Sequence, residues 1–167
     1  PGHNPPRLAS SLGKADFMEP TVKTHITMNS SKYNGVVVPM VTPVTPSGFL
    51  DKSAVERIIK SFVSAGVSPL LMGTTGEGNS VSTMDGQELI ETAVKAADGK
   101  ITVYAGLTGN CFIEQLKQAG YYSASGADVI VATLPSYYSL TPEQMENYYL
   151  RLADSIKGPL MLYNIAA

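Results

Sequence analysis

Apolar residues recur in two alternating patterns from about residue 35 to the end of the chain. Four apolar positions at i, i+3, i+4 and i+7 predict an amphipathic helix at Val55, Ile58, Ile59 and Phe62, and similar stripes follow further along the chain. Short continuous apolar runs, which are typical of strands buried on both faces, separate the helices. They cover residues 35–41, 67–72, 101–105, 127–132 and 160–163.

Turn and capping residues divide these patterns into repeating units. The glycines that close the predicted helices, Gly66, Gly99, Gly126 and Gly158, are spaced by about 30 residues, the size of one βα unit. Asn110 is predicted as the N-cap of the third helix, and residues 141–144 read Thr-Pro-Glu-Gln, a capping box with proline in the first turn. The pattern therefore predicts an α/β fold with a parallel sheet. A doubly wound open sheet and a (β/α)8 barrel both fit it.

Residues 1–32 lack this periodicity and are rich in proline and small polar residues. We expect them to form an N-terminal extension that is disordered or was introduced by cloning, with Met28 as a possible natural start. Residues 33–167 then form the folded domain. No signal peptide is expected, because no basic segment is followed by an apolar core.

Composition limits the possible chemistry. A net charge of -2 gives no reason to expect a nucleic acid or an anionic membrane as partner. Cys111 is the only cysteine, which suits a cytoplasmic protein, and we expect it to be a small buried filler. His3 and His25 are the only histidines, so the folded domain has no histidine for a catalytic triad and a poor ligand set for a metal.

The loops after the predicted strands are rich in hydroxyl groups and phenols. The loop Gly73-Thr74-Thr75-Gly76-Glu77 combines flexible glycines with hydroxyls and could bind a small carboxylate, although it could also be an ordinary tight turn. Tyr137 and Tyr163 could transfer protons or serve as packing aromatics. We expect Glu77 to brace its own loop.

Six short motifs, in this order, resemble the dihydrodipicolinate synthase / N-acetylneuraminate lyase family. They are Pro39-Met40-Val41-Thr42-Pro43, Gly73 to Glu77, Ala105-Gly106 with Gly109-Asn110, Gly126-Ala127-Asp128, Pro135 with Tyr137-Tyr138, and Leu162-Tyr163-Asn164. The resemblance implies a (β/α)8 TIM barrel, of which this chain covers about the first four and a half βα units. It also implies class I chemistry, in which a lysine forms a Schiff base with pyruvate or another 2-oxo acid.

The resemblance also implies the roles of individual residues. Thr74 and Thr75 would bind the carboxylate of the 2-oxo acid through backbone amides and hydroxyls. Tyr163 would donate and accept protons during Schiff-base formation. Thr75 would link Tyr163 to Tyr137, which in this family typically reaches into the site of a neighbouring subunit. No cofactor or metal is implied, and a homo-oligomer, dimeric or tetrameric, is expected.

The Schiff-base lysine is expected about one βα unit, or about 30 residues, beyond Tyr163 and therefore beyond Ala167. No lysine of this chain falls at the carboxyl end of a predicted strand. This chain alone is therefore expected to be inactive. The complete enzyme would be similar to dihydrodipicolinate synthase and would make or break carbon-carbon bonds. The alternatives are an N-acetylneuraminate lyase, a 2-keto-3-deoxy sugar acid aldolase, or a non-catalytic half-barrel that binds a small acid. A flavodoxin-like domain fits the periodicity but lacks a phosphate loop.

Overall fold

The computed structural model describes residues 30–164. The expected N-terminal extension lies outside the described residues as far as residue 29, and with it both histidines and Met28. Residues 165–167 also lie outside them. The described part begins with a 3-10 helix, Ser30–Tyr33.

Five strands alternate with four helices in the order that the hydrophobic pattern predicts. The strands are β1 (Val37–Pro39), β2 (Ser68–Leu71), β3 (Tyr104–Gly106), β4 (Val129–Ala132) and β5 (Leu160–Leu162). The helices are α1 (Lys52–Ala65), α2 (Thr83–Ala97), α3 (Phe112–Ala124) and α4 (Pro142–Ser155), and a 3-10 helix, Gly78–Ser80, precedes α2. Each strand is shorter than its apolar run; β3 and β4 begin two or three residues after the start of their runs, and β3 extends one residue past the end of its run.

The five strands form one parallel sheet in the sequential order β1-β2-β3-β4-β5. Val37 pairs with Ser68, Leu70 with Tyr104 and Ile130 with Leu160, so each strand lies beside its neighbour in sequence. A doubly wound sheet reverses its strand order at a switch point, whereas a (β/α)8 barrel does not. The unbroken order therefore favours the barrel architecture among the two that the sequence left open.

Two helix termini, at Gly66 and Thr141, have the capping chemistry that the sequence predicts. Gly66 has a φ of 66° and ends α1 in the left-handed conformation, and Thr141 with Gln144 forms the predicted capping box of α4. The prediction for Asn110 was wrong. Cys111 is the N-cap of α3 and makes no side-chain capping bond, because the carboxamide of Asn110 is bound to another loop.

Alternate residues of each strand face two different apolar clusters. Leu71, Ala105, Ile130 and Ala132 pack against residues of all four α-helices, whereas Leu70, Tyr104, Val129 and Val131 form a second cluster that no residue of α1–α4 joins within the described part. The helices thus cover one face of the sheet, as they do on the outside of a barrel. Tyr33 packs against the second cluster.

The outer strands each have one neighbour in the part of the chain that the structure describes. β1 pairs with β2 and β5 pairs with β4, and the exposed side chains at these edges include Val36, Met161 and Leu162. Unpaired parallel edges leave backbone groups and apolar surface open to further strands.

None of the helices between residues 30 and 164 has the length and apolarity needed to cross a bilayer.

A buried tyrosine in the core should make the folded state less stable at alkaline pH. Tyr122 of α3 is 1% exposed, and burial raises the pKa of its phenol to about 12. The unfolded chain releases this proton near pH 10, so the folded state holds more protons above that pH and stability falls between about pH 10 and 12.

We therefore expect the free energy of unfolding, measured by urea denaturation, to decrease over this pH range. The Tyr122→Phe variant should show a shallower decrease. An equally steep decrease in that variant would assign the effect to other groups.

Candidate active site

The loops that follow the strands meet around one cavity at the carboxyl ends of β2, β3, β4 and β5. Its volume is about 240 Å³, which suits a small organic acid. Glu77 is the one charged side chain among the described residues that line it. The lining residues are Leu70, Met72, Gly73, Thr74, Glu77, Gly78, Asn79, Ser80, Gly106, Leu107, Thr108, Val131, Thr133 and Tyr163.

The loop after β2 leaves the strand through a left-handed turn at Met72, whose φ is 56°. A β-carbon on Gly78 would lie 2.3 Å from the carbonyl oxygen of Met72, and one on Gly106 would lie 2.9 Å from it. The two glycines therefore let three backbone segments pack directly on each other. This contact places Gly73 and Thr74 at the wall of the cavity.

Two kinds of hydrogen bond fix the loop after β2: bonds between its own backbone groups, and a bond from the segment that follows β1. Within the loop, the amide of Glu77 donates to the carbonyl of Thr74 at 3.0 Å and that of Gly78 donates to Gly73 at 3.2 Å. The hydroxyl of Thr42, which follows β1, donates to the carbonyl of Gly76 at 2.7 Å. The loop after β2 is thus held by its own backbone and by the segment that follows β1.

Polar side chains also join this loop to the loop after β3. The carboxamide oxygen of Asn79 accepts a hydrogen bond from the amide of Gly109 at 2.9 Å. Gln118 of α3 accepts one from the amide of Thr108 at 3.1 Å. Both contacts fix the part of the cavity wall that Thr108 contributes.

Tyr163 reaches the cavity from the end of β5. Its amide donates to the carbonyl of Ala132 at 2.8 Å, which extends the parallel pairing of β4 and β5 by one residue. The side chain is 37% exposed and lines the same cavity as Thr74. The structure therefore brings these two predicted site residues to one place.

The other two predicted site residues do not line this cavity within the described part of the chain. Thr75 is exposed beside Thr74. Tyr137 lies in the loop after β4, where it is 75% exposed and packs edge-on against Tyr138 with a ring-centre distance of 4.7 Å. The proposed proton relay through Thr75 and Tyr137 remains a prediction.

A buried polar network supports the loops after β3 and β4. Gln115 of α3 is 2% exposed, and its side-chain nitrogen donates to the carbonyl of Gly109 at 2.8 Å. The hydroxyl of Tyr148 in α4 lies 2.9 Å from the side-chain oxygen of Gln115 and 3.2 Å from the carbonyl of Thr133, and can donate to either. Burial raises the pKa of Tyr148 to about 12, which extends the pH range over which the phenol can donate beyond that of an exposed tyrosine.

Two expectations about single residues were wrong. Cys111 is exposed rather than buried, because the N-cap position of α3 faces solvent. Glu77 adopts a φ of 50° at the start of the 3-10 helix, and its side chain makes no capping hydrogen bond there. Among residues 30–164, no three His, Cys, Asp or Glu side chains lie close enough together to hold a metal ion.

Sequence reasoning missed Thr133, Gln115 and Tyr148 as parts of this region. Thr133 directly follows the apolar run of β4, so extending each strand by one residue would have found it. Gln115 gave no such signal, because an apolar stripe on this helix predicts that Ile113 points inward. Ile113 is 56% exposed and Gln115 is buried in its stead.

The contact of Gly78 with Met72 predicts a large difference between two glycine substitutions. Gly78→Ala places a methyl group 2.3 Å from a backbone oxygen and 2.8 Å from the Thr108 methyl, so the loop must move. We expect a loss of about 2 kcal/mol in unfolding free energy and weaker ligand binding in the cavity.

Gly120→Ala is the matched control, because nothing lies within 4 Å of the position that the new methyl group would take on α3. It should raise stability by up to about 1 kcal/mol through helix propensity. Urea denaturation of both variants measures the difference, and equal stabilities would contradict the packing described above.

Comparison with known proteins places this architecture in a family. The profile of the Dihydrodipicolinate synthetase family matches residues 32–167. The chain is 34% identical over 134 residues to a probable 2-dehydro-3-deoxy-D-pentonate aldolase, YjhH, of Escherichia coli, and the match covers 80% of this chain and 44% of that relative. The chain thus spans about half the length of the curated relatives that it matches.

Solved structures agree with the fold. A chloride-inhibited dihydrodipicolinate synthase from Acinetobacter baumannii, complexed with pyruvate, matches with a TM-score of 0.75 at 28% identity, over 78% of this chain and 45% of that one. An N-acetylneuraminate lyase from Mycoplasma synoviae also matches with a TM-score of 0.75, at 26% identity over 82% and 48% of the two chains. By the profile match, the fold and the motifs together, the chain belongs to the dihydrodipicolinate synthetase family of (β/α)8-barrel lyases and synthases.

Proposed function

We propose that this chain supplies the 2-oxo acid cradle and the phenol relay of a pyruvate-dependent Schiff-base lyase or synthase, one that makes or breaks a carbon-carbon bond as dihydrodipicolinate synthase does. One observation carries the proposal. Thr74 and Tyr163 line the same small cavity at the carboxyl ends of the strands, in a chain of this family. The pyruvate complex of a related structure supports pyruvate as the ligand.

The cradle would bind the carboxylate of pyruvate. Thr74 offers a hydroxyl and a backbone amide, and Thr75 offers the same pair of groups next to it, so the carboxylate would be held by dipoles and not by a cation. A cationic donor in this cavity would form an ion pair with Glu77, which lines the same cavity. Neutral donors bind the acid without forming such a pair. The glycine packing at Met72 fixes the donors before the ligand arrives, which lowers the cost of binding.

Tyr163 would move the protons of Schiff-base formation. A lysine amine adds to the 2-oxo carbon of pyruvate, and the carbinolamine then loses its hydroxyl as water to form the imine. Tyr163 would donate the proton that turns this hydroxyl into water, and it would recover a proton through Thr75 and Tyr137. The exposed position of Tyr137 supports a role at a contact with another subunit of a dimer or tetramer.

The Schiff-base lysine would come from residues other than those described here. None of the lysines between residues 30 and 164 is among the residues that line the cavity. Lys32, for example, forms an ion pair with Asp128 at 2.7 Å, and Lys52 pairs with Glu88 at 3.0 Å. A cytoplasmic location, proposed from the single cysteine, would suit this chemistry.

A sugar-acid aldolase is the second candidate. The relative YjhH is named as a probable 2-dehydro-3-deoxy-D-pentonate aldolase. The side chains of Asn79, Ser80, Thr108 and Thr133 around the cavity supply amide and hydroxyl groups that could bind the hydroxyls of such a substrate. An N-acetylneuraminate lyase is the corresponding alternative from the structural match.

Borohydride reduction in the presence of pyruvate tests the proposal. We expect the chain alone to give no lysine adduct by mass spectrometry. Co-expressed with the C-terminal half-barrel of a family enzyme, it should support an adduct on a lysine of that second half. An adduct on any lysine within residues 30–164 would contradict the proposed origin of the nucleophile, and no adduct in the assembled barrel would contradict the function.

In the same assembled barrel, Tyr163→Phe should lower kcat by about 10²–10⁴-fold, because a proton-transfer group is lost while the cradle is unchanged. Thr74→Val should chiefly raise the KM for pyruvate. Tyr137→Phe is expected to lower kcat, and Tyr138→Phe, its exposed neighbour, serves as the matched control. Equal rates for Tyr137→Phe and Tyr138→Phe would remove Tyr137 from the relay.

A further inference from the structure

Asn110 makes a contact that its place beside the α3 N-terminus does not explain. Its carboxamide oxygen accepts hydrogen bonds from two consecutive amides of another loop, those of Ser136 at 2.9 Å and Tyr137 at 3.0 Å. Two amides on one oxygen fix both the position and the direction of the backbone at Tyr137. Asn110 therefore fixes the backbone of an otherwise exposed tyrosine.

The segment that carries Asn110 is itself anchored by two hydrogen bonds. The preceding residue, Gly109, donates its amide to Asn79 and accepts at its carbonyl from Gln115. Gln115 is buried and is in turn bound to the hydroxyl of Tyr148. The route from the core of α3 and α4 to Tyr137 thus runs through three hydrogen bonds and the peptide bond that joins Gly109 to Asn110.

Asn110 is the last contact of this route. If its oxygen is removed, the buried network still holds Gly109, but nothing in this route still reaches the amides of residues 136 and 137. Tyr137 keeps its edge-on contact with Tyr138, which lies in the same loop and moves with it. The two hydrogen bonds that reach residues 136 and 137 from the neighbouring βα unit therefore depend on a single side chain.

We propose that Asn110 is a positioning residue, which holds the loop after β4 so that Tyr137 is presented in one orientation for proton transfer. This inference rests on the proposed role of Tyr137 as part of the relay. Asn110 is not among the residues that line the cavity. It acts through the backbone of the residue that it binds.

Hydrogen exchange of the full chain, in the assembly that it forms in solution, tests the positioning directly. In Asn110→Ala, the amides of Ser136 and Tyr137 should exchange about tenfold faster, because the two hydrogen bonds that protect them are lost. In Asn110→Asp, a carboxylate oxygen accepts the same two amides, so exchange should return to the original rate or below it. Amides of β4, Val129–Ala132, should be unaffected in both variants.

Asn147→Ala is the matched control, since Asn147 is an exposed asparagine on α4. A second variant, Gln115→Leu, removes the support beneath Gly109 and should accelerate the same two amides. Unchanged exchange in Asn110→Ala, or acceleration that Asn110→Asp fails to reverse, overturns the inference. General acceleration that includes β4 also overturns it, because that result would show loss of stability and not loss of positioning.

Failure of the relay is recognised separately. The comparison of Tyr137→Phe with Tyr138→Phe reports whether the phenol takes part in catalysis, whereas exchange reports whether Asn110 holds its backbone. Equal rates for Tyr137→Phe and Tyr138→Phe, together with faster amide exchange in Asn110→Ala, would show that Asn110 holds the loop but not for proton transfer. That result would overturn the proposed purpose of Asn110. The hydrogen-bonded link between the two loops would then be structural.

Discussion

The close packing of the Met72 carbonyl against Gly78 and Gly106 is the contact on which the candidate site depends. A β-carbon at either glycine would lie within 3 Å of that oxygen, so no other residue fits without movement of the backbone. The contact turns the chain sharply out of β2 and presents Gly73 and Thr74 to the cavity. A carboxylate-binding loop built from backbone amides and hydroxyls needs this rigidity, because its donors gain strength only when they are fixed in place.

The loops around the cavity are joined to one another in chain order. Thr42 binds the loop after β2, Asn79 binds the loop after β3, and Asn110 binds the loop after β4. Each link uses one polar side chain and the backbone of the next βα unit. Sheet pairing fixes the strands, and these side chains then fix the loops that the strands alone would leave free. The buried pair of Gln115 and Tyr148 adds a second layer of support from the helices.

Much of the fold could be predicted from the sequence, because it is set by local physics. Apolar runs, left-handed glycines such as Gly66 and the capping box at Thr141 act over a few residues and are visible in the sequence. The choice of Thr74 and Tyr163 came from short motifs at strand ends, and the structure brings both to one cavity. The role of Asn110 could not be read in this way, since its partners lie 26 and 27 residues away. Gln115 was missed because a buried amide at a helical position resembles any solvated glutamine.

A preformed cradle for a small 2-oxo acid in the loop after β2 requires that pyruvate bind at the amides of that loop. Titration of pyruvate into the ¹⁵N-labelled protein, followed by amide chemical shifts, tests it most directly. We expect saturable shifts at Gly73, Thr74 and Thr75, with little change at the helix termini on the opposite side of the sheet. Shifts that are absent at these amides, or that are concentrated elsewhere, would contradict it.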